Sequence, residues 1–462
     1  MIISLIKKGC KVGFFGLGKS NIALLSALPL EKCEITLRSD TKINANELPK
    51  DISFQRILCG DDSLKDIDEE IIFFSPSVRR ERAELMEARR RGVIFTSDAE
   101  MFFEENRTPI FAITGSDGKS TTATLIHLLL SEEGKRSELI GNIGRPMINS
   151  LGQGSDYLVC ELSSFMLRYL KPKSYSACIT NITPNHLDWH ENLDEYRECK
   201  RNVLVNTGRI VLNDENSNLT EADAIVSVKK DYEALRKEIP AKVYVTIEND
   251  FLCRNGLPLL PKSEIKRCEI HNIQNLMMAI AMTDGIVGQE AIKRVAKEFS
   301  GLGHRCEMVG RISDVECYDS SIDSSIARTL QTLRSLDREV VIILGGKSKG
   351  LDYKSLLPDA KKWVRRAIIC GENAEEISHA IGDEIESEII DDFDMAIRRG
   401  IEYAKNVGIL LLSPASTSYD KFKNYAERGD KFKEILAKTR DIENNSLQNI
   451  EETRKNGETN LS

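Results

Sequence analysis

The sequence predicts an α/β protein of three domains, in which helices pack on parallel or mixed sheets. Short apolar runs of strand length alternate with helical segments along most of the 462 residues, and this alternation is typical of parallel sheets. Glycine-rich turns follow several of the runs. A chain of this length exceeds one ordinary domain, and about 150 residues per domain predicts three.

The composition excludes several functional classes. Lys and Arg number 64 against 72 Asp and Glu, a formal net charge of -8, so no overall positive field favours nucleic acid. The apolar segment at the amino terminus is too short for a signal peptide, and no run of about 18 apolar residues occurs. The 11 cysteines form no C-x-x-C pairs, which indicates free thiols. We therefore expect a cytoplasmic protein with no membrane or nucleic-acid partner.

A glycine-rich turn between a strand candidate, Ile110–Ile113, and a helix candidate, Thr124–Leu130, is the strongest motif. Such a turn directs backbone N–H groups and a helix N-terminus at an anion, Lys119 supplies a charge, and the Ser120 hydroxyl is a magnesium ligand. We predict a nucleotide-phosphate site; a turn that only caps the helix is the alternative. The predicted site consists of Gly115, Ser116, Asp117, Gly118, Lys119, Ser120 and Thr121.

A second glycine turn, Gly16–Asn21, follows the first strand candidate. It is similar to a dinucleotide fingerprint, but Asn21 stands where the third glycine belongs. A nicotinamide oxidoreductase is therefore disfavoured, and a different anion at this helix start remains open.

Two further segments place polar residues after strand candidates. Glu161 lies at the end of the run Tyr157–Leu162, where open α/β sheets bind ligands, and is a candidate magnesium ligand or a capping group. The loop after the next run carries His186, Asp188 and His190. A hydrolase metal site is an alternative for these three, but no second cluster of ligands supports it.

Together these motifs resemble the Mur ligase family, whose members form amide bonds at the expense of ATP. The phosphate loop resembles G-T-N-G-K-[ST] with Asp117 in place of Asn, and the loop that carries His186 resembles N-[IV]-T-x-x-H-x-D. Tyr196–Lys200, on a helix candidate, resembles Y-x-x-x-K, with a solvated helix face as the alternative for its lysine. Ile270–Leu276 resembles H-N-x-x-N, and Ser300–Glu307 resembles G-L-P-H-R-x-E with Gly303 in place of Pro. The resemblance covers nearly the whole chain in the family's motif order.

The resemblance implies a domain for each ligand. It implies a Rossmann-like domain for the UDP substrate at residues 1–105, a central ATP-binding domain of P-loop ATPase type at 106–302, and a Rossmann-like amino-acid domain at 303–440. In the third domain we predict a six-element parallel sheet. The polar residues 441–462 predict a disordered tail.

The resemblance also implies site residues. Those implied for ATP, beyond the phosphate loop, are Asn272, Asn275, Arg305 and Asp319. Two magnesium ions are implied at Ser120, Glu161, His186 and a carbamylated Lys200, with Lys119, His186 and Lys200 catalytic. The residues implied for the UDP-muramoyl substrate are Gly18, Lys19, Ser20, Arg38, Ser39 and Asn142.

The closing stretch Leu412–Phe432 resembles the signature of the subfamily that adds D-glutamate. It implies an amino-acid pocket with Ser418, Tyr425 and Lys349. The chain departs from the family at N-D-S-K-x-T-N, where Ser321 replaces the lysine and Asp323 the threonine. One positive charge is therefore lost, and the roles of both positions stay open.

The function implied is ATP-dependent addition of D-glutamate to UDP-N-acetylmuramoyl-L-alanine through an acyl phosphate, in peptidoglycan precursor synthesis. Small-molecule substrates and a monomer are expected. Within the family, a sister ligase or a folylpolyglutamate synthetase-type enzyme using another amino acid is the alternative. Outside it, the alternatives are the oxidoreductase above and a P-loop switch that hydrolyses ATP slowly.

Overall fold

The computed structural model describes residues 6–43, 48–187, 189–347 and 352–440. The chain divides into two compact units, Met1–Phe299 and Ser300–Ser462. The predicted α/β class is confirmed, because two large sheets in the first unit and one in the second alternate with helices. Lys349, Asp188 and the segment 441–462 lie outside the described residues.

The first sheet is entirely parallel, with strand order β3-β2-β1-β4-β5. Its strands are β1 (Lys11–Phe15), β2 (Glu34–Ser39), β3 (Arg56–Cys59), β4 (Ile71–Phe74) and β5 (Ile94–Thr96), and the helices are α1 (Lys19–Ala27), α2 (Ala83–Arg90) and α3 (Asp98–Glu105). Consecutive strand residues are buried on opposite faces: Phe14 packs with α1 and Phe15 with α2. Near-continuous apolar strands are expected when helices cover both faces.

The second sheet has nine strands in the order β16-β15-β14-β13-β12-β10-β6-β8-β7. Its strands are β6 (Ile110–Thr114), β7 (Ser137–Gly141), β8 (Tyr157–Glu161), β10 (Ser176–Ile179), β12 (Ile210–Asn213), β13 (Ala224–Ser227), β14 (Val243–Glu248), β15 (Phe251–Arg254) and β16 (Leu257–Pro261). Only β14, β15 and β16 pair antiparallel. A small parallel pair, β9 (Lys173–Ser174) with β11 (Asn206–Thr207), lies beside it.

Helices cover both faces of the second sheet. They are α4 (Lys119–Glu132), α5 (Ser164–Leu167), α6 (Leu193–Arg201), α7 (Tyr232–Glu238), α8 (Ile270–Met282) and α9 (Gln289–Glu298). The apolar residues of α4, α8 and α9 form the core on one face, and those of α5 and α7 join the core on the other. Because α4 packs in the core, the loop that precedes it has a rigid support.

The second unit holds a six-stranded sheet in the order β17-β18-β22-β19-β20-β21. Its strands are β17 (Glu307–Ile312), β18 (Val315–Asp319), β19 (Val340–Leu344), β20 (Val364–Ile369), β21 (Ser387–Ile389) and β22 (Ile409–Leu412). The helices are α10 (Ile326–Leu336), α11 (Leu357–Ala360), α12 (Ala374–Ile381) and α13 (Phe393–Ala404), and residues 425–440 are also helical.

The structure differs from the predicted elements in two sheets. The prediction of a fully parallel third sheet is wrong, because β17 and β18 form an antiparallel hairpin. Its loop is too short for a crossover, and Ser313 turns the chain with a φ of 49°. The first sheet contains a strand that sequence analysis missed, Arg56–Cys59, which lies at an edge and is only partly buried. Among the described residues, no helix combines the length and apolar character needed to cross a membrane.

Candidate functional site

Three neighbouring parallel strands of the second sheet end at one edge, and the candidate residues follow them. Strand β6 lies between β10 and β8. The phosphate loop follows β6, Glu161 ends β8, and the loop that carries His186 follows β10. Residues far apart in the sequence therefore meet at the carboxyl edge of the sheet, where α/β proteins bind ligands.

The phosphate loop requires its two glycines. Gly115 has a φ of 153°, and an added Cβ would lie 1.8 Å from Thr180 Oγ1. Gly118 has a φ of 77° and precedes α4, and a Cβ there would lie 2.3 Å from Asn275 Oδ1. Gly118, the N-cap residue of α4, has no side chain with which to cap the helix. A helix N-terminus that follows a glycine turn of this kind is a typical binding site for an anion.

The loop is fixed by side chains that follow β10. Ser116 Oγ donates to the carbonyl of Thr183 at 2.9 Å and lies 2.8 Å from the hydroxyl of Tyr196. Asn181 Oδ1 accepts the N–H of Asp117 at 2.8 Å. These bonds hold the backbone in place without using the N–H groups at the start of α4.

Ser120 and Glu161 form a pair of oxygen ligands beside the loop. Ser120 Oγ donates to Glu161 Oε2 at 2.7 Å, and Asn142 Nδ2 donates to the other carboxylate oxygen at 2.8 Å. Glu161 is 1% exposed, and no described lysine, arginine or histidine forms an ion pair with it. A buried carboxylate without a cation is costly, and Mg²⁺ prefers oxygen ligands. The pair therefore fits a magnesium ion.

Lys200 lies inside the site rather than on a solvated helix face. It is 2% exposed, and its Nζ donates to the carbonyl oxygen of Gly115 at 2.7 Å. Lys119 Nζ donates to the same oxygen at 3.0 Å and to the carbonyl of Ser116 at 2.8 Å. Burial, followed by repulsion from Lys119, lowers the pKa of Lys200 well below its usual value.

The other candidates at this edge are less closely grouped. His186 is exposed, has a φ of 53°, and places its ring against Phe165 at 5.0 Å. Asn275 contacts the first turn of α4, where the Thr122 hydroxyl donates to its Oδ1 at 3.3 Å. Asn272, one turn earlier on α8, donates to Glu269 at 3.1 Å.

The residues predicted to hold the UDP-muramoyl substrate divide into two groups. Gly18 and Lys19 are exposed at the start of α1, with Ser20 beside them. Arg38, in contrast, is completely buried, and its five N–H groups donate to Glu69 and to the carbonyls of Ser63, Lys65 and Asp66. The prediction for Arg38 is therefore corrected: this residue forms a structural ion pair with Glu69, and substrate cannot reach its side chain. Ser39 is 8% exposed and bonds to Thr41.

In the second unit, the candidates lie just before β17, at the end of β18 and after β22. Asp319 is buried, and its Oδ2 lies 2.7 Å from Nδ1 of His304, beside the half-buried Arg305. Ser418 is almost fully buried, whereas Tyr425 is 41% exposed with its ring 6.1 Å from that of His304. The third residue predicted for the amino-acid pocket, Lys349, lies outside the described residues.

The two positions that depart from the motif both point into the protein. Asp323 is 3% exposed and accepts hydrogen bonds from Thr332 at 2.7 Å and Ser413 at 2.8 Å. Burial raises the pKa of its carboxyl. Ser321 is also buried, and its hydroxyl donates to the carbonyl of Tyr425 at 2.8 Å. The carboxylate of Asp323 is therefore held by hydrogen bonds inside the protein.

Comparison with known proteins gives two domain matches and many relatives. A model of the Mur ligase middle domain matches residues 113–283, and a model of the Mur ligase glutamate ligase domain matches residues 304–416. A UDP-N-acetylmuramoylalanine–D-glutamate ligase of Ruminiclostridium cellulolyticum is 34% identical and covers 93% of this chain and 97% of its own. One of Acetivibrio thermocellus is 34% identical with coverages of 93% and 96%.

The chain belongs to the Mur ligase family.

Solved structures agree at the level of the fold. A UDP-N-acetylmuramate-alanine ligase of Thermotoga maritima superposes with a TM-score of 0.54 at 16% identity, covering 93% of this chain and 99% of its own. A pseudomurein peptide ligase of type C from Methanothermus fervidus gives 0.50 at 16% identity, with coverages of 93% and 100%. The sheets described above are therefore those of a Mur ligase.

Two groups of residues in this Mur ligase were missed by sequence analysis. Thr180 and Asn181 lie just before the histidine loop and hold the phosphate loop, Thr180 Oγ1 donating to the carbonyl of Asp117 at 2.5 Å. The available signal was that these two polar residues stand at the end of an apolar run. Arg428 is 2% exposed and donates to Ser321 Oγ at 3.0 Å and to the carbonyl of Ser416 at 3.0 Å. The sequence gives no sign of this burial, because Arg428 stands among polar residues at the start of a helix.

Proposed function

We propose that this Mur ligase adds D-glutamate to UDP-N-acetylmuramoyl-L-alanine, with ATP converted to ADP and phosphate. The observation that carries the proposal is the grouping of the phosphate loop, the Ser120–Glu161 pair and Lys200 at one sheet edge. The names of relatives more than 30% identical over nearly the full length support the choice of substrates. They favour D-glutamate over the amino acids of a sister ligase or a folylpolyglutamate synthetase.

The nucleotide and magnesium sites follow from the oxygen and nitrogen donors present. Gly115–Thr121 would receive the phosphates, with Lys119 supplying charge and Asn272 and Asn275 on the nucleotide side. Ser120 and Glu161 would hold magnesium, together with His186, and the ion would offset charge on the transferred phosphoryl group. Arg305 and Asp319 are also proposed to bind ATP.

Lys200 is proposed to carry a carbamate. Its buried amine, next to the ammonium group of Lys119, loses a proton more readily than an exposed lysine. The nitrogen lone pair can then attack carbon dioxide, so that an N–C bond forms, one C=O electron pair moves to oxygen and a proton leaves to solvent. The resulting anion would offer oxygen ligands to a second magnesium ion.

The two organic substrates are assigned to the first and third domains of the chain. We propose that residues 1–105 bind the UDP part through Gly18, Lys19, Ser20 and Ser39, with Asn142 near the reacting end. Residues 303–440 would bind D-glutamate through Lys349, Ser418 and Tyr425, and residues 106–302 would hold ATP. This three-domain division, a monomeric state and a cytoplasmic location are all parts of the proposal.

The chemistry then follows from charge. A carboxylate is a poor acylating agent, so the alanine carboxylate must first receive the γ-phosphoryl group. Lys119 and Arg305 would neutralise the charge that develops on that group, since positioning and electrostatics dominate phosphoryl transfer. The amine of D-glutamate then attacks the acyl phosphate, an amide forms and phosphate leaves. Exclusion of water would protect the acyl phosphate from hydrolysis.

The test is ADP release by the purified protein with UDP-N-acetylmuramoyl-L-alanine and a panel of D- and L-amino acids. We expect release that requires both substrates and magnesium, with D-glutamate preferred. Release that needs no amino acid would favour the P-loop switch. Preference for another amino acid would favour a sister ligase.

A further inference from the structure

Two distant segments of the first unit are tied together beside the site. One is the turn 75–82 after β4, and the other is the segment 189–195 that leads into α6. Trp189 Nε1 donates to the carbonyl of Ser77 at 2.7 Å, and Arg79 Nη1 donates to the carbonyl of Trp189 at 2.8 Å. Hydrogen bonds therefore run in both directions between the segments.

Glu195, on the first turn of α6, is the centre of this contact. Its Oε1 accepts hydrogen bonds from Arg79 Nη2 at 3.1 Å and from Arg168 Nη1. Its Oε2 accepts the N–H of Glu191 at 2.7 Å. Burial alone would raise the pKa of Glu195, but the Glu191 N–H and Arg168 lower it below its usual value. The carboxylate is 17% exposed, so its charged hydrogen bonds are stronger than those of a surface pair.

The same arginines reach a second carboxylate on the turn. Arg168 Nε donates to Glu81 Oε1 at 2.8 Å, and the hydroxyl of Tyr169 donates to Glu81 Oε2 at 2.9 Å. Arg79, Glu81, Arg168 and Glu195 thus alternate in charge, and we call these four residues the charged joint. It connects the turn after β4 to α5 and α6.

The other face of α6 meets the phosphate loop. Tyr196 and Lys200 are four residues apart and therefore lie on the same helix face. Tyr196 bonds to Ser116 and Lys200 to Gly115. Because the whole of α6 behaves as one rigid element, any shift of its first turn would move both contacts.

From this geometry we propose that Glu195 is a positioning residue for the ligase reaction. Held by Arg79 and Arg168, it fixes Lys200 relative to the turn 75–82, whose first residue, Ser75, lies beside Gly18 of the proposed UDP site. The inference rests on the proposed function, and it assigns to the joint the alignment of the UDP-muramoyl substrate with the carbamate lysine. Loss of the joint weakens use of that substrate and formation of the carbamate.

The test combines Glu195→Gln, Arg79→Met and the double variant. Glu195→Gln keeps the shape of the side chain and removes its charge. We expect kcat/KM for UDP-N-acetylmuramoyl-L-alanine to fall about tenfold in each single variant and no further in the double, as for two members of one interaction. KM for ATP should rise less than tenfold, because Thr180 and Asn181 hold the phosphate loop independently of α6. Added bicarbonate should restore activity to the variants more than to the wild type, an effect that simple loss of stability does not produce.

Glu198→Gln is the matched control, since Glu198 lies on the same helix in an exposed pair with Arg201. It should resemble the wild type in all three measurements. Variants of the joint that keep wild-type kcat/KM and bicarbonate response overturn the inference, and so do fully additive losses in the double variant. If Glu195→Gln fails to fold, Arg79→Met still tests the same interaction, because Arg79 is only half-buried. If the wild type has no ligase activity, the proposed function is overturned together with the role of Glu195. If the wild type is active and the variants are unaffected, only the role of Glu195 is overturned.

Discussion

Lys119 and Lys200 donate hydrogen bonds to one and the same atom, the carbonyl oxygen of Gly115, over 3.0 Å and 2.7 Å. Two ammonium groups on one oxygen repel each other, and Lys200 is also buried. The repulsion is relieved when Lys200 loses its proton or when an anion arrives. A phosphate at Lys119 and a carbamate on Lys200 would each supply that negative charge.

Lys119→Ala should lose phosphoryl transfer while the protein stays folded. Removing one preorganised donor to developing charge costs about 10²–10³-fold in kcat. The melting temperature should change little, because the hydrogen bonds of Lys119 Nζ go to backbone carbonyls of its own loop, those of Gly115 and Ser116. ADP release and thermal unfolding are the measurements, with the exposed Lys135→Ala as control. Near-normal turnover in a folded variant contradicts the phosphate role.

Lys200→Ala should be inactive and partly rescued by formate or acetate. The cavity left by the buried side chain can admit a small carboxylate, whose oxygens replace those of the carbamate. Activity should rise with formate concentration in this variant and not in the wild type. Intact-protein mass measured after mild trapping of the native adduct gives an independent check. Lack of rescue together with an unmodified Lys200 would support an amine that serves only as a hydrogen-bond donor.

The α/β class and the phosphate loop could be predicted from local patterns. Apolar runs such as Ile110–Ile113 report burial on both faces of a sheet, and a glycine turn before a helix has its own signature. The hairpin of β17 and β18 could not be found this way, because strand direction depends on pairing with distant residues. The same limit applies to β3, a short edge strand with little burial.

The site shows the same division between local and distant information. The pattern Y-x-x-x-K placed Lys200 on a helix correctly, but its burial arises from contact with Gly115, which is distant in the sequence. The prediction for Arg38 failed for the opposite reason: its position near the end of β2 favours a ligand contact, yet its guanidinium forms an ion pair with Glu69. The role of Asn21 becomes clear only in the structure, where its amide donates to the carbonyls of Phe15, Gly16 and Phe73.

Asp98→Asn should stabilise the protein at neutral pH and not in acid. Asp98, the first residue of α3, is 3% exposed and accepts the N–H of Ile148 at 3.0 Å. Burial raises its pKa from the ordinary 3.8 to about 6. The folded state therefore binds more protons than the unfolded state between these values, so the carboxyl lowers stability progressively as pH rises through that window.

An amide at position 98 avoids this cost, and its oxygen can still accept the Ile148 N–H. Relative to wild type, we expect a gain of up to about 3 kcal/mol at pH 7.5 that shrinks toward pH 4. Denaturant unfolding at the two pH values measures it. Glu104→Gln, an exposed change on the same helix, should show no such pH-dependent difference. A gain that is equal at both pH values would contradict the raised pKa as its cause.

Ser321→Lys should harm the protein, although the family motif carries lysine at this position. Resemblance alone favours restoring the lysine, with Asp323→Thr, to improve binding of D-glutamate or ATP. The structure predicts the opposite for the single change, because Ser321 is fully buried and Arg428 donates to both its hydroxyl and its carbonyl. No carboxylate in the described part of the chain forms an ion pair with Arg428.

A lysine at position 321 would place a second buried cation against that guanidinium. The cost of an uncompensated buried charge is on the order of 3 kcal/mol, so the melting temperature should fall and KM for D-glutamate should not improve. Ala327→Lys, which adds the same charge at an exposed site on α10, should leave both unchanged. If Ser321→Lys instead folds normally and lowers that KM, Arg428 moves aside in solution and position 321 faces the substrate. The buried arrangement of Ser321 and Arg428 would then be wrong.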